Sequence, residues 1–316
     1  MRKWISSIII TLLVAGGAII CAIRWQAWFG MPAEPLWTGD TIDYVFPTLP
    51  KETDTLFNSL PNELTILVLG DIHNKLQRSD YDTLAARVPE VAIVAQTGDW
   101  IDRGQNYYYQ LLVREWTNSA LDSLPVITCP GNHEYSKGLR KTISPIWSHA
   151  FLHPNNGPID VPGSSYVVDL PQIRFIAIDT NPLVRLVYLT RTLTWLRQNM
   201  KEAGDKYVVV LMHHPVLSAG KGRFNPLLYA AFRIALGDAD LVISGHDHSY
   251  MRYKSFVVLN TAGNPKPQHT VCKPDVTDTV PVYGIIQIPS STSDLKFTVH
   301  RLQDGTVIDS LYVKHN

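Results

Sequence analysis

The chain has 316 residues, 45% of them apolar, which suffices for one large or two small domains with a buried core and argues against disorder throughout. Lys plus Arg and Asp plus Glu balance at 28 each, so no overall field gathers polyanions and nucleic-acid binding gains no support. Three cysteines, Cys21, Cys129 and Cys272, are too few and too widely spaced for a disulfide framework or a Cys-rich zinc site; metal chemistry would fall to carboxylates and the 11 histidines.

From Trp4 to Ile23 there is no charged residue, and the run is long enough as a helix to cross the ~30 Å hydrocarbon layer. Arg2, Lys3 and the terminal amine precede it while Arg24 alone follows, so the positive-inside bias places the N-terminus in the cytoplasm and the rest of the chain outside. Residues 1–25 are therefore expected to be a single-pass membrane anchor or uncleaved signal. A cleaved signal, giving a periplasmic or secreted product, is the alternative, although Ala15, Gly16, Gly17 and Ala18 lie mid-run and Ile20 disfavours cleavage after Ala22. Lipidation at Cys21 is weaker still, because bulky Ile20 precedes it.

Residues 26–62 carry Pro32, Pro35, Pro47, Pro50 and Pro61 without sustained period and read as a linker. Residues 63–316 then form one domain. Short Val/Ile/Leu-rich runs at 66–69, 91–95, 126–128, 173–178, 207–212 and 241–244 predict buried strands, and 81–87, 107–121, 189–200 and 226–236 predict helices, an α/β alternation. After residue 255 the helical signal disappears, and 295–302 and 306–313 flank Asp304-Gly305, a hairpin signal.

Polar clusters fall where the predicted strands end: Gly70-Asp71-Ile72-His73, Gly98-Asp99 through Asp102-Arg103-Gly104, Gly131-Asn132-His133-Glu134, His213-His214-Pro215 and Gly245-His246-Asp247-His248. In open α/β sheets the loops at carboxyl ends of strands share one crevice, so sequence distance is no obstacle to convergence. One Gly-Asp after a strand is usually only a turn, and one His only a satisfied core residue. Several histidines, carboxylates and an amide gathered without a metal would carry desolvation and repulsion costs that a cation converts into ligation.

In order, these motifs resemble those of the calcineurin-like metallophosphoesterases: Asp-x-His, Gly-Asp, Gly-Asn-His-Glu, a later His, then His-x-His, over about residues 65 to 260. The resemblance implies a four-layer αββα sandwich of mixed sheets with a binuclear metal centre. Carried over, Asp71, His73, Asp99 and His248 would hold one ion and Asp99, Asn132, His213 and His246 the other, with Asp99 bridging. Two such ions stabilise the attacking and leaving oxygens of an in-line displacement and bring water's pKa from ~15.7 towards neutrality, so that hydroxide serves as nucleophile. His133 resembles the family's catalytic histidine, with Glu134 either orienting it or standing as an ordinary surface carboxylate. His214 is left as a substrate contact or a support to the ligands. Arg103 resembles the arginine with which protein Ser/Thr phosphatases grip phosphate, or else pairs with Asp102.

Wording around 163–181 is similar to purple-acid-phosphatase-like members, but the iron-ligating tyrosine of that branch falls on Asp102 here. Mixed O and N ligands suit Mn, Fe or Zn, divalent or trivalent. The expected partners are a phosphorylated substrate and the membrane; oligomeric state has no signal. Phosphodiesters, monoesters and phosphoproteins all remain open as substrates, as does a tethered scaffold that keeps the fold without turnover. A Cys129–Cys272 disulfide is conceivable outside the cytoplasm, with no spacing argument behind it.

Overall fold

Short β-branched runs buried on both faces leave little for a helix to expose, and in the computed structural model they become strands. Residues 42–49, 63–135, 142–159, 163–184, 186–219, 226–266, 273–288 and 294–314 are described. The first sheet holds β1 (Leu64–Leu69), β2 (Val91–Gln96), β3 (Val126–Thr128), β11 (Val282–Ile288), β12 (Leu295–Arg301) and β13 (Val307–Val313). Its order is β13-β12-β11-β1-β2-β3, with β1, β2 and β3 parallel and the remaining pairings antiparallel. The second sheet holds β4 (Tyr166–Asp169), β5 (Ile173–Ile178), β6 (Tyr207–Met212), β7 (Leu241–Ser244), β8 (Tyr250–Tyr253), β9 (Phe256–Val258) and β10 (Val276–Asp278), ordered β10-β8-β9-β7-β6-β5-β4. There β5, β6, β7 and β9 run parallel.

Three apolar clusters define the layers. Ile66, Val68, Ile93 and Ile127 of the first sheet meet Phe175, Val209, Leu211 and Ile243 of the second in one shared core. Leu67, Leu69 and Val94 face the opposite way, onto α1 (Arg78–Arg87), α2 (Asn106–Trp116) and α3 (Pro145–Ala150). Ile176, Val210 and Val242 face α4 (Leu186–Lys201) and α5 (Pro226–Ala235). The alternation along each strand thus puts sheets back to back and helices outside.

The strands expected at 126–128, 173–178, 207–212 and 241–244 fall on β3, β5, β6 and β7 without offset. Helix α2 stops at Trp116, short of the expected 121, because Asn118 takes a left-handed φ of 61° and its N–H donates to the Asp122 carboxylate (2.6 Å). The C-terminal hairpin forms as expected, with Gly305 at φ 77° in its turn.

The linker reading of 26–62 needs correction over 42–49. Phe46 is 1% exposed, its N–H donates to the Ala150 carbonyl (2.8 Å), and the Pro47 carbonyl accepts from Val126 N–H (2.8 Å). Thr48 bridges Val126 in parallel, so this strap extends the first sheet beyond β3. Five prolines hid it, since a single bridge between proline residues shows no strand period. The expected anchor at 1–25 and Cys272 lie outside the described residues, among which no helix is long and apolar enough to cross a membrane. Cys129 is buried.

Trp116 is fully buried, with ring centroids 5.0 Å from Tyr81, 5.2 Å from Trp100 and 5.8 Å from Phe46. Trp116→Ala is expected to cost about 3–5 kcal/mol in denaturant unfolding; a loss under about 1 kcal/mol would mean this cluster does not hold the helical layer to the sheet.

Candidate metal centre

Strand β1 runs into Gly70-Asp71, and the chain then takes left-handed φ values at Asp71 (50°), His73 (52°) and Asn74 (56°). Backbone bonds to the loop after β2 hold this path: Asp71 N–H to the Gly98 carbonyl (3.3 Å), His73 N–H to that of Asp99 (3.0 Å) and Asn74 N–H to that of Trp100 (3.0 Å). Asp99 is itself left-handed at φ 55°. Such backbone persists only where its surroundings over-determine it. Gln96 clasps the neighbouring Gly98, accepting its N–H (2.6 Å) and donating to its carbonyl (2.8 Å).

Glu134 does the larger part of this work. Its buried carboxylate accepts backbone N–H bonds from Gly131 (2.7 Å), Trp100 (2.9 Å), Asp99 (3.0 Å) and Ile101 (3.4 Å), so one side chain joins the loops after β2 and β3. It is neither a surface carboxylate nor the partner of the His133 ring, whose Nδ1 meets the Asp102 carbonyl. The same loops pass so closely that a Cβ on Gly131 would lie 2.2 Å from Asp99 Oδ1.

The second sheet supplies the other wall. After β6 come His213 and His214; after β7, His246 (φ 74°) and His248 (φ 49°). His246 N–H donates to Asp71 Oδ2 (2.7 Å), stitching the two sheets' loops together. Asp247 accepts from the Ser218 hydroxyl and belongs to none of the three groups of convergent donors, which are His213, His214 and His246; Asp71, His73, Asp99 and His248; and His73, Asp102 and His133.

Donor atoms of Asp71, His73, Asp99 and His248 converge. His73 Nε2 lies 3.1 Å from His248 Nε2, 3.8 Å from Asp71 Oδ1 and 3.8 Å from Asp99 Oδ2, and His248 Nε2 lies 3.4 Å from Asp71 Oδ1. Ligands held at about 2.1 Å from one ion sit about 3.0 Å apart on an octahedron and about 3.4 Å on a tetrahedron. The 3.1 and 3.4 Å spacings fall in that range and the two at 3.8 Å lie just above it, so a cation would draw His73 slightly towards the two carboxylates. On the other side of Asp99, His213 Nε2 lies 3.2 Å from Asp99 Oδ2 and 3.3 Å from His246 Nδ1. Asn132 Oδ1 and Asp71 Oδ1 are buried without a hydrogen-bond partner, a cost that a cation would remove.

Ring orientation is fixed from behind. His213 Nδ1 meets the Thr97 carbonyl (2.9 Å) and His248 Nδ1 that of Asn264 (2.7 Å), so each donates there and aims Nε2 inward, the atom a bound cation would take in place of a proton. His214 instead has Nδ1 against the Thr180 hydroxyl (2.7 Å), with its ring 4.5 Å from that of His246. His133 stands edge-on to His73 at 4.6 Å with Nε2 3.8 Å from Asp99 Oδ2, and is partly exposed. Arg103 lies at the rim, 54% exposed, its Nε 3.8 Å from Asp102 Oδ2.

Sequence reasoning missed Gln96, Thr97, Thr180 and Asn181. Asn181 Nδ2 donates to the Pro130 (3.1 Å) and Gly131 (3.2 Å) carbonyls and so braces the Asn132 loop. Gln96, a fully buried amide ending an apolar strand, was the one legible signal.

Burial alone would raise both ligand carboxylates, but His248 and His73 beside Asp71, and His213 beside Asp99, hold them below their usual range. Burial opposes charge on His213, yet Asp99 raises it to about 9. Burial, then Asp99, pushes Glu134 up to about 7. Burial drives His153 down to about 3; burial and then His213 do the same to His246.

In metal-stripped protein, the raised pKa values of Glu134 and His213 contribute stability at lower pH that is lost as pH rises through about 7 and about 9 respectively. The depressed His153 and His246 contribute stability present above 6.5 and lost as pH falls towards about 3. A melting temperature that falls from pH 7 to 9, through the range in which His213 loses its proton, is expected; a rise over that interval would contradict it. Gly131→Ala should abolish tight metal binding, measured by Mn titration, while leaving most of the fold's circular dichroism.

Two curated relatives are named glycerophosphodiester phosphodiesterase GpdQ. That of Enterobacter lignolyticus is 27% identical over 179 residues, 55% of this chain and 59% of its own length. That of Arcobacter nitrofigilis, named as probable, is 28% identical over 191 residues, 57% of this chain and 65% of its own. The chain thus spans under two thirds of either relative. Among solved structures, purple acid phosphatase PPD1 from yellow lupin superposes with a TM-score of 0.58 at 14% identity, covering 80% of this chain and 54% of that one. GAP50, the anchor in the inner membrane complex of Plasmodium, gives 0.57 at 16% identity, covering 80% and 89%. These likenesses show an α/β metallophosphoesterase-like fold. Residues 64–250, more than half of the 316, match the family model for the calcineurin-like phosphoesterase, and the chain belongs to that family.

Proposed function

We propose that the chain is a metal-dependent phosphoester hydrolase with two ions bridged by Asp99, and that phosphodiesters are its substrate class. The observation that carries the two-ion reading is the position of Asp99 Oδ2, 3.8 Å from His73 Nε2 on one side and 3.2 Å from His213 Nε2 on the other. The diester preference is supported by the two phosphodiesterase relatives. When bound, the ions supply Lewis acidity to the phosphoryl group and activate water near neutral pH; Mn, Fe and Zn all suit the mixed O and N donors.

The chain's own residues do the rest. Asp71, His73, Asp99 and His248 would hold one ion, and Asp99, Asn132, His213 and His246 the other. His133, fixed through Nδ1 on the Asp102 carbonyl, faces the site with Nε2 and, once protonated, hands that proton to the departing alkoxide. His214, whose donor atom converges with those of His213 and His246, donates to a phosphoryl oxygen, and Arg103 at the rim grips the substrate's anionic oxygens through its guanidinium. The run at 1–25 tethers this domain outside a membrane, or leaves it periplasmic or secreted if removed.

The test is to strip metal from the full chain, restore Mn, Fe or Zn, and compare aryl phosphate diester with monoester hydrolysis. Faster diester turnover is expected. Tight metal binding with activity on neither ester would instead favour a tethered scaffold. His133→Ala should keep its metal and lose about 10²–10⁴-fold in kcat, whereas Asp99→Ala should lose both metal and turnover; a normally active Asp99→Ala enzyme would end the bridging reading.

A further inference from the structure

We infer that the strap at residues 42–49, which precedes the family domain, is part of the machinery that positions the metal ligands, with Phe46 as its positioning residue. The inference rests on the reading of the centre as a metal site.

Phe46 sits inside the aromatic cluster behind the ligand loops. Its ring stacks on Phe151 at 4.5 Å and lies 5.3 Å from Trp100, and Tyr44 packs edge-on to it at 4.9 Å. The strap is fastened along its length, by Phe46 N–H on the Ala150 carbonyl (2.8 Å), Val126 N–H on the Pro47 carbonyl (2.8 Å) and the Thr48 hydroxyl on the Leu152 carbonyl (2.9 Å). Ile42 and Leu49 are buried at its two ends.

Trp100 is the connection to the site. It follows Asp99 in the chain, its indole N–H donates to the Tyr81 hydroxyl (3.1 Å), and it is 2% exposed. Its backbone N–H goes to Glu134 and its carbonyl receives the N–H of Asn74, next to His73. The Asp99 carbonyl receives His73 N–H in the same way. Any rotation of the Trp100 peptide therefore moves Asp99 and His73 together. With φ at 55°, Asp99 has no intrinsic reason to keep its conformation, so the packing that immobilises the indole helps to keep the carboxylate aimed. Phe46 is the piece of that packing contributed from outside the family match, which begins at residue 64.

The experiment compares Phe46→Ala with Phe232→Ala in the full chain. Phe232 is also buried but lies in the helical layer of the second sheet, outside the aromatic cluster that packs on Trp100. Metal-stripped proteins are titrated with Mn(II), reading free ion by electron paramagnetic resonance, and the ligand-field spectrum is recorded with Co(II). Phe46→Ala should bind Mn about ten-fold more weakly and shift the Co(II) spectrum, while Phe232→Ala loses melting temperature alone. Phe46→Leu, which leaves a smaller void, should fall between and serves if Phe46→Ala does not fold. Native Mn affinity and an unchanged Co(II) spectrum in Phe46→Leu and Phe46→Ala, or equal losses in Phe232→Ala, would overturn the strap's role. Failure of the unaltered chain to bind Mn or Co(II) would instead overturn the metal-centre reading on which it rests.

Discussion

Four backbone N–H groups converge on the Glu134 carboxylate, and most of what surrounds the site presupposes that convergence. A buried carboxylate is expensive unless its lone pairs are occupied, and a left-handed Asp99 is expensive unless its peptide is held. Each feature meets the other's need. The loops after β2 and β3 are drawn against one carboxyl group, close enough that only glycine fits at 131, and Asp99 Oδ2 is left within 3.8 Å of His73 Nε2 and 3.2 Å of His213 Nε2.

The second sheet then becomes necessary rather than decorative. His213 and His246 arrive from β6 and β7, and the bond from His246 N–H to Asp71 ties the two halves at the point where their ligands meet. Because both sheets present the carboxyl ends of parallel strands at this edge, five segments separated by up to 177 residues, from Asp71 to His248, reach one small volume without long loops. Packing between the sheets, through residues such as Ile66, Phe175 and Leu211, sets their spacing and so the distance across the site.

Much of this was legible in the sequence, for definite reasons. Fully buried strands such as 207–212 and 241–244 announce themselves as unbroken apolar runs, and the polar residues that follow them stand out by contrast. Strands with weaker contrast were missed: β8 mixes Arg252 among aromatics, and β10 is Val-Thr-Asp on a half-exposed edge. Strand β11, although apolar, lies in a stretch where only the downstream hairpin carried a turn signal. Among the candidate site residues, the sequence pointed to those whose donor atoms converge, while Gln96, Thr180 and Asn181, whose side chains brace a peptide or an imidazole, and Thr97, which acts through its carbonyl, belong to no motif. Glu134 was noticed for the wrong task, since nothing in Gly-Asn-His-Glu indicates that its carboxylate turns back onto peptide groups rather than towards His133.

The rings of His213, His248 and His133 are each aimed by a carbonyl oxygen, from Thr97, Asn264 and Asp102. A carbonyl belongs to every residue type, so mutation can replace the side chain at such a position without disturbing the imidazole it steers. At these three positions the peptide path, rather than the residue type, is what the imidazoles require. The hydroxyl of Thr180 behind His214 has no such immunity: a residue without that hydroxyl would remove the partner of Nδ1 and leave the imidazole free to exchange its tautomer.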